Sequence, residues 1–379
     1  MSKLHPLDRL PAAPQRRQLL AASVALAALA AAPIARADEG RGDDDRRVSC
    51  RPHFLRVSLA AGAPETSWIF GQLCSAGERA EEGSAVQVLL HGATYDHAYW
   101  DYGRVDGVDY SYARTLAAAG IPTFAIDNLG AGLSSRPVST EVTFDTSAYV
   151  AHQVVQALRS GAIERTRFSK VILVGNSLGA LTAWAEANTF RDVDGVIATG
   201  MIHHFSQTVV QILTAQFYPA NQDPAFAHAG LDDGYLTTRP GSRGAVFFDA
   251  NDGDADPAVI AVDERRKEAV LGVFIAQGLP QVLVDHDAIN VPVLALIGHH
   301  DVFCDGGYDC TSSAAVIRQE APFYGPNATV AACAVPATAH SISLHVQGHV
   351  TQEAASINWT RAVLRGKAPK GAAAPGCSR

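Results

Sequence analysis

Apolar and polar residues alternate along this chain in two rhythms, and the change between them falls near residue 86. Residues 54–59 and 67–73 alternate around a Gly-Ala-Pro turn, which predicts an antiparallel strand pair. Later, short apolar runs are separated by amphipathic stretches of helical length, which is typical of βαβ crossovers and a mostly parallel sheet. We predict an α/β fold with six further strands, at residues 86–90, 123–126, 170–174, 195–198, 291–297 and 329–334, flanked by helices at 111–119, 147–158 and 178–188.

One interval breaks this rhythm. Nearly ninety residues, 201–289, separate the sixth and seventh predicted strands, although a crossover helix of about a dozen residues could connect them. The interval has helical spacing at residues 207–218 and 265–277 and an acidic stretch at 249–256. We therefore expect a helical cap, inserted after the sixth strand and packed over the C-terminal edge of an eight-stranded sheet.

The first 37 residues have the features of an export signal. Arg16 and Arg17, a pair that resembles a twin-arginine signal, precede an uncharged Ala/Leu-rich run at residues 19–34. Residues 35–37 (Ala-Arg-Ala) offer a small-residue cleavage site. An uncleaved membrane anchor is the alternative, but the apolar run is short for a bilayer span. Cleavage near Ala37 predicts a secreted or periplasmic protein without a stable membrane anchor.

The charge of the chain excludes one class of partner. The whole chain carries a net charge of −8, and residues 1–37 hold five basic residues and one acidic residue, so cleavage leaves a more acidic protein. An acidic surface repels phosphate backbones, so we expect no nucleic-acid partner. Residues 38–49 are highly charged and are expected to form a flexible leader before a domain at residues 50–365, with the tail at 366–379 loose apart from any tether through Cys377.

The six cysteines all follow the predicted cleavage site. An even number of cysteines in an exported chain favours disulfide bonds, and the absence of a C-x-x-C pair argues against a zinc site. We expect one disulfide across the first strand pair, and the remaining four cysteines are expected to stabilise the C-terminal region. The expected first pair is Cys50 with Cys74, and the other four are Cys304, Cys310, Cys333 and Cys377.

The strongest chemical motif lies between a predicted strand and a predicted helix. Residues 175–179 read Gly-Asn-Ser-Leu-Gly and match G-x-S-x-G, with Ser177 at the centre. A sharp strand-to-helix turn presents such a serine above the sheet at a helix N-terminus. Because a serine hydroxyl is a weak nucleophile at neutral pH, it needs a nearby base and an acid that orients the base.

Candidates for both partners follow later strands. Asp301 comes directly after the seventh predicted strand, and His340 comes shortly after the eighth. Their order along the chain, serine then aspartate then histidine, is that of α/β-hydrolases. The alternative acid is Asp305, and the alternative bases are His345 and His349.

The region from about residue 86 to about residue 346 resembles the α/β-hydrolase superfamily, in the form with a helical cap after the sixth strand. The resemblance rests on the strand followed by His-Gly, the serine turn, the late acid and the terminal histidine. It implies a catalytic triad of Ser177, His340 and Asp301. Family members usually carry glycine directly before this histidine, whereas this chain has Ala339.

The resemblance also implies an oxyanion hole. Residues 91–94 (His-Gly-Ala-Thr) end the third predicted strand, where the family places half of this hole. The backbone N–H groups of Ala93 and Leu178 would then donate hydrogen bonds to the developing oxyanion. His91 itself is expected to be structural.

Ser177 narrows the predicted chemistry. Dehalogenases and epoxide hydrolases of this superfamily carry aspartate at this position, so a serine favours a carboxylic-ester hydrolase of the esterase, lipase or lactonase type acting on a small-molecule or lipid-like ester. An amidase, a cofactor-free haloperoxidase-like enzyme and a C–C bond hydrolase are alternatives on the same fold, and a non-catalytic binding protein is the alternative of another class. The mechanism requires no cofactor and no metal.

The candidate substrate-binding residues are Tyr95 and Trp100, which follow the oxyanion turn, and His204, at the start of the cap.

Overall fold

The computed structural model describes residues 48–249 and 254–377. The predicted export signal at residues 1–37 and nearly all of the predicted leader lie outside these ranges. The first strand begins at Val48, two residues before the expected start of the domain. Within the described ranges, no helix combines the length and apolar character needed to cross a membrane.

The strands and helices of the described residues follow the predicted alternation. The strands are β1 (Val48–Val57), β2 (Ser67–Ala76), β3 (Ala85–Leu90), β4 (Arg104–Val105), β5 (Val108–Asp109), β6 (Thr123–Ile126), β7 (Lys170–Asn176), β8 (Gly195–Thr199), β9 (Phe217–Pro219), β10 (Tyr235–Thr238), β11 (Val270–Leu271), β12 (Val293–Gly298) and β13 (Val330–Val335). The α-helices are α1 (Tyr112–Ala118), α2 (Phe144–Ser160), α3 (Leu178–Phe190), α4 (Gln207–Gln216), α5 (Arg243–Phe247), α6 (Pro257–Arg265), α7 (Gly272–Gly278), α8 (Ser313–Glu320) and α9 (Gly348–Leu364).

The central sheet contains all eight predicted strands, in the order β1-β2-β6-β3-β7-β8-β12-β13. The pairs β1-β2 and β2-β6 are antiparallel, and the other five pairs are parallel. Every residue of β8, β12 and β13 is buried, because helices cover both faces of a parallel sheet and its strands are therefore apolar throughout. The predicted α/β fold with a mostly parallel eight-stranded sheet is confirmed.

Helices α1 and α9 pack on one face of this sheet. The side chain of Gln87 in β3 is fully buried between them, where it accepts a hydrogen bond from Tyr112 of α1 and donates one to Thr360 of α9. Satisfying both ends of a buried amide avoids the cost of an unpaired polar group. The two hydrogen bonds of Gln87 therefore connect the sheet to α1 and α9 inside an otherwise apolar core.

The insertion after β8 contains more than helices. It begins with α4, close to the helix predicted at residues 207–218, and it also contains a three-stranded antiparallel sheet in the order β11-β10-β9. The helix predicted at residues 265–277 is wrong in its bounds, since α6 ends at Arg265, β11 follows, and α7 begins at Gly272. A strand of two residues is too short to show an alternation of apolar and polar residues. The helical spacing of apolar residues on either side of β11 therefore concealed it in the sequence.

Three disulfide bonds join the six cysteines. Cys50 and Cys74 stand directly opposite each other in the β1-β2 pair, as predicted, and the other bonds are Cys304–Cys310 and Cys333–Cys377. The tail is not loose over its whole length, because the N–H groups of Gly371 and Ala374 donate to carbonyls of the edge strand β13. An edge strand offers unpaired backbone groups, and the tail satisfies some of them.

Candidate active site

Ser177 occupies the turn between β7 and α3. Its φ of 53° and ψ of −117° lie in a region that L-residues rarely adopt, and such strain concentrates at functional sites. The flanking glycines are needed for space. A Cβ at Gly175 would overlap the Gly179 carbonyl, and a Cβ at Gly179 would overlap the Leu90 carbonyl of β3. The G-x-S-x-G sequence therefore folds as the predicted strand-turn-helix corner.

His340 and Asp301 contact each other at the carboxyl ends of two adjacent parallel strands. Asp301 follows β12 and His340 follows β13, and Nδ1 of His340 lies 3.1 and 3.0 Å from the two carboxylate oxygens of Asp301. Both residues are buried. The rings of Phe247 and Phe303 lie near the imidazole and roughly parallel to it, with centroid distances of 5.9 and 5.7 Å. A histidine held in this way has one orientation and presents Nε2 away from the carboxylate.

Ser177 and His340 line one cleft at this edge of the sheet. The cleft holds about 540 Å³ of empty space when its open mouth is counted. Ala93 and Leu178 line it beside the serine. The remaining wall is apolar throughout and consists of Leu181, Met201, Val209, Ile212, Leu213, Phe217, Val246, Phe247, Ile275, Leu279, Val302 and Phe303.

The two amides expected to form an oxyanion hole are available for a ligand. Among the described residues, no hydrogen-bond acceptor is found for the N–H of Ala93 or that of Leu178. Leu178 is the first residue of α3, where helix N–H groups have no partner in the helix and the helix dipole favours negative charge. A Cβ at Gly92 would lie 3.2 Å from Cβ of Ser177, so glycine lets the Ala93 loop approach the serine.

The sequence profile of the alpha/beta hydrolase family matches residues 87–350. This chain belongs to the alpha/beta hydrolase family. Solved structures similar to this hydrolase include a proposed aryl esterase from Burkholderia cenocepacia, at 15% identity and a TM-score of 0.52 over 83% of this chain and 100% of that one. A thermophilic esterase from Thermogutta terrifontis has 18% identity and a TM-score of 0.50, over 82% and 99%. These likenesses concern the fold alone. Among curated proteins, none matches the hydrolase.

The alternative acid and bases have other partners in the hydrolase. Asp305 accepts hydrogen bonds from Ser206 and Thr208, and His345 and His349 contact backbone carbonyls through Nδ1. Burial opposes the ionisation of Asp305, but the hydrogen bonds from Ser206, Thr208 and His204 outweigh it and lower the pKa of Asp305 to about 2. None of the three alternatives lines the cleft with Ser177. His91, expected to be structural, is buried and accepts a hydrogen bond from the N–H of Asn128 at 2.9 Å.

The three predicted substrate-binding residues do not line this cleft. Trp100 is fully buried in the core, where its ring lies 5.1 Å from that of Tyr112. Nε2 of His204 lies 3.1 Å from a carboxylate oxygen of Asp305. The ring of Tyr95 packs against the guanidinium of Arg243. The Tyr95 hydroxyl oxygen lies 2.9 Å from the hydroxyl oxygen of Ser341. Tyr95 and Trp100 thus serve packing, because both rings are buried.

Sequence reasoning missed Arg243, which joins the cap to the Ala93 loop. This arginine is completely buried, its Nε donates to Asp263, and its Nη1 donates to Thr94 Oγ1 at 2.8 Å. Burial opposes the positive charge, but the Asp263 carboxylate outweighs it and raises the pKa of Arg243. Thr94 follows Ala93 directly and has a φ of 62°. No local signal in the sequence distinguishes Arg243, because its partners are 20 and 149 residues away.

Replacing Arg243 with alanine is expected to destabilise the hydrolase by roughly 3–5 kcal/mol, because it leaves the Asp263 carboxylate buried without a partner. The free energy of unfolding from urea titration measures this effect. The double variant Arg243→Met, Asp263→Leu removes both charges and should recover much of the loss. A loss below about 1 kcal/mol in Arg243→Ala would show that the pair is not an important part of the fold.

Proposed function

We propose that this hydrolase cleaves carboxylic esters with Ser177 as nucleophile, His340 as base and Asp301 as the residue that orients the base. The observation that carries the proposal is the contact of Asp301 with Nδ1 of His340 at the cleft that His340 shares with Ser177. The carboxylate selects the imidazole tautomer with a proton on Nδ1, so Nε2 is an acceptor for the serine proton.

The reaction follows from these groups. His340 takes the proton of Ser177 as the serine oxygen attacks the ester carbonyl, and the N–H groups of Ala93 and Leu178 stabilise the oxyanion. Protonated His340 then gives its proton to the leaving alcohol, which departs and leaves an acyl-serine. A water molecule, deprotonated by His340, attacks the acyl group, and the released serine oxygen recovers the proton.

The cleft wall supports an apolar substrate. Apart from Ser177 and His340, every side chain that lines the cleft is uncharged and has no hydrogen-bonding group. Burying apolar substrate surface there contributes about 25 cal/mol per Å², whereas a charged group would lose its hydration without compensation. We infer that the natural substrate is a small-molecule or lipid-like ester with an apolar acyl or alcohol part.

We also infer that the hydrolase acts outside the cytoplasm. The export features of residues 1–37 support this inference, and so do the three disulfide bonds, which persist in oxidising compartments. N-terminal sequencing of the protein recovered from the exported fraction is expected to begin near Asp38. A mature protein that retains Met1 would contradict the inference.

A series of p-nitrophenyl esters of increasing chain length, run beside a lactone and an amide, tests the proposed activity. We expect kcat/KM to be highest for an ester and to rise with acyl length until the apolar cleft is filled. Fluorophosphonate labelling of the folded protein tests the serine mechanism independently of substrate choice. Faster turnover of the amide would favour an amidase, and folded protein without labelling or turnover would favour a non-catalytic binding protein.

The cap should set the acyl length. Ile212 of α4 lines the cleft, so Ile212→Trp narrows it, and each methylene that no longer fits removes about 0.8 kcal/mol of binding. We expect kcat/KM for the octanoate ester to fall about 10-fold relative to the acetate ester. The control is Gln211→Trp, since Gln211 is the exposed neighbour on the same helix. Equal chain-length profiles for the two variants would contradict this role of the cap.

A further inference from the structure

A second cluster of polar side chains lies between α2 and the C-terminal end of α3. It contains His152 of α2, Glu186 of α3 and Asp192, which follows α3. One potential ligand atom from each residue lies within 4.8 Å of the other two. Nδ1 of His152 is 2.9 Å from Oδ2 of Asp192 and 3.7 Å from Oε1 of Glu186. None of the three residues lines the cleft that contains Ser177.

The cluster contains buried oxygens without partners. The Glu186 side chain is 0% exposed, and no described residue makes a hydrogen bond of normal geometry to either of its carboxylate oxygens. Oδ1 of Asp192 is also buried and lacks a partner among the described residues. Buried polar atoms in native proteins are nearly always paired, and an unpaired carboxylate is among the most costly exceptions. The oxygens of Glu186 therefore indicate a missing positive partner.

Another histidine-carboxylate cluster in the chain differs from the Glu186 cluster in that its carboxylates have hydrogen-bond partners. Asp96, His97 and Asp127 also approach one another, but backbone N–H groups satisfy their carboxylates. The N–H groups of His97 and Leu133 donate to Asp127, and that of Ala98 donates to Asp96. The Asp96 cluster is thus complete as it stands. The orphaned oxygens are a property of the Glu186 cluster and not of histidine-carboxylate groups in general.

We propose that His152, Glu186 and Asp192 bind one divalent cation, with Zn²⁺ preferred. An imidazole nitrogen beside two carboxylates suits zinc better than calcium or magnesium, which take oxygen ligands. Two ligands at corners of a zinc tetrahedron with 2.1 Å bonds are about 3.4 Å apart. The observed separations of 2.9 and 3.7 Å bracket that value. Two negative charges would balance the cation, and water would supply the fourth ligand.

The surroundings of the cluster hold its members in place. The ring of Phe190 stacks on His152 with centroids 4.1 Å apart and planes at 15°. The Gln156 amide donates to Oδ2 of Asp192, and the Arg159 guanidinium donates to the backbone carbonyl of Asp192. Such contacts orient ligands and raise metal affinity. The site also lies at the C-terminal end of α3, where the helix dipole favours a cation.

The position of this cluster indicates a structural role for the cation. Glu186 is nine residues beyond Ser177, which corresponds to about 13 Å along α3. A cation there cannot touch the reacting atoms. It would connect α2 to the far end of the helix that begins directly after Ser177, so bound metal should raise the midpoint of thermal unfolding, by an amount that grows with the logarithm of the ratio of metal concentration to Kd.

Calorimetric titration of the full chain tests the site, after dialysis against a chelator and with the disulfide bonds intact. We expect wild-type protein to bind one equivalent of Zn²⁺, and Glu186→Gln, which keeps the side-chain volume, to bind it about 100-fold more weakly. The matched control is His97→Gln in the Asp96 cluster, which should keep wild-type affinity. Zn²⁺ should raise the unfolding temperature of the wild type and His97→Gln but not that of Glu186→Gln.

Two results would overturn the proposal. One is the absence of a one-equivalent Zn²⁺ isotherm for folded wild-type protein, and the other is equal affinity in the wild type and Glu186→Gln, each with a native circular dichroism spectrum. The cluster would then be a protonated His152 paired with Asp192 beside an uncharged Glu186, a state that burial favours by raising the pKa of Glu186 to about 8. Neither result depends on ester hydrolysis, so the site and the proposed function can fail separately.

Discussion

Ser177→Ala is expected to lower kcat/KM for the preferred p-nitrophenyl ester by about 10⁶-fold, because removal of the proposed nucleophile would eliminate the acyl-enzyme route. Steady-state kinetics measures the loss, and fluorophosphonate labelling should disappear at the same time. A residual rate above that of water would come from the oxyanion hole and substrate binding alone. Alanine keeps the strained backbone of the turn, so the fold is expected to be unchanged.

Ser160→Ala serves as the control for this experiment. Ser160 is the last residue of α2, and its hydroxyl donates to the carbonyl of Ala157, outside the cleft. This variant should keep wild-type turnover and labelling. If Ser177→Ala kept more than about a tenth of the wild-type rate, another residue would be the nucleophile and the proposed mechanism would be wrong.

Asp301→Asn is expected to lower kcat by about 10⁴-fold with little change in KM. Asparagine fits the same space, but its amide N–H favours the imidazole tautomer with an unprotonated Nδ1, so Nε2 of His340 carries the proton and cannot accept another. Stopped-flow or steady-state kinetics with the preferred ester measures the change. The loss should fall on kcat, since Asp301 does not line the cleft.

The matched control for this variant is Asp305→Asn. Asp305 is four residues further along the same loop, yet its hydrogen bonds involve Ser206 and Thr208 at the start of the cap. Its replacement should reduce stability more than turnover. If Asp305→Asn lost as much activity as Asp301→Asn, the loop as a whole and not one carboxylate would be responsible.

The cap is connected to the edge of the sheet that carries the cleft as well as covering it. Helix α5 carries Arg243, which contacts Thr94 next to Ala93, and Phe247, which stacks on His340. The Phe247 carbonyl also accepts a hydrogen bond from the N–H of Ser341. Substitutions in α5 are therefore expected to alter the rate with every ester, whereas those in α4 should alter chain-length preference.

Much of the architecture could be predicted because the parallel strands are buried on both faces. Such strands appear as uninterrupted apolar runs, so the six later strands were recognisable, whereas β1 and β2 were recognisable by their alternation. The length of the interval between β8 and β12 revealed the insertion. Inside the insertion the prediction was less accurate. The short strand β11 is stabilised by pairing with Tyr235 and Leu236, more than thirty residues earlier, and not by its own pattern.

The sequence by itself determined the sheet, the insertion and the sharp turn at Ser177, because each depends on residues that are adjacent in the chain. Only the tertiary structure decided which side chains surround the cleft. Tyr95, Trp100 and His204 follow the right elements but do not line it, and the buried residues Arg243 and Glu186 meet groups from distant segments. Burial and hydrogen bonding at these positions depend on how helices and loops pack in the folded protein. Local sequence patterns do not reveal that packing.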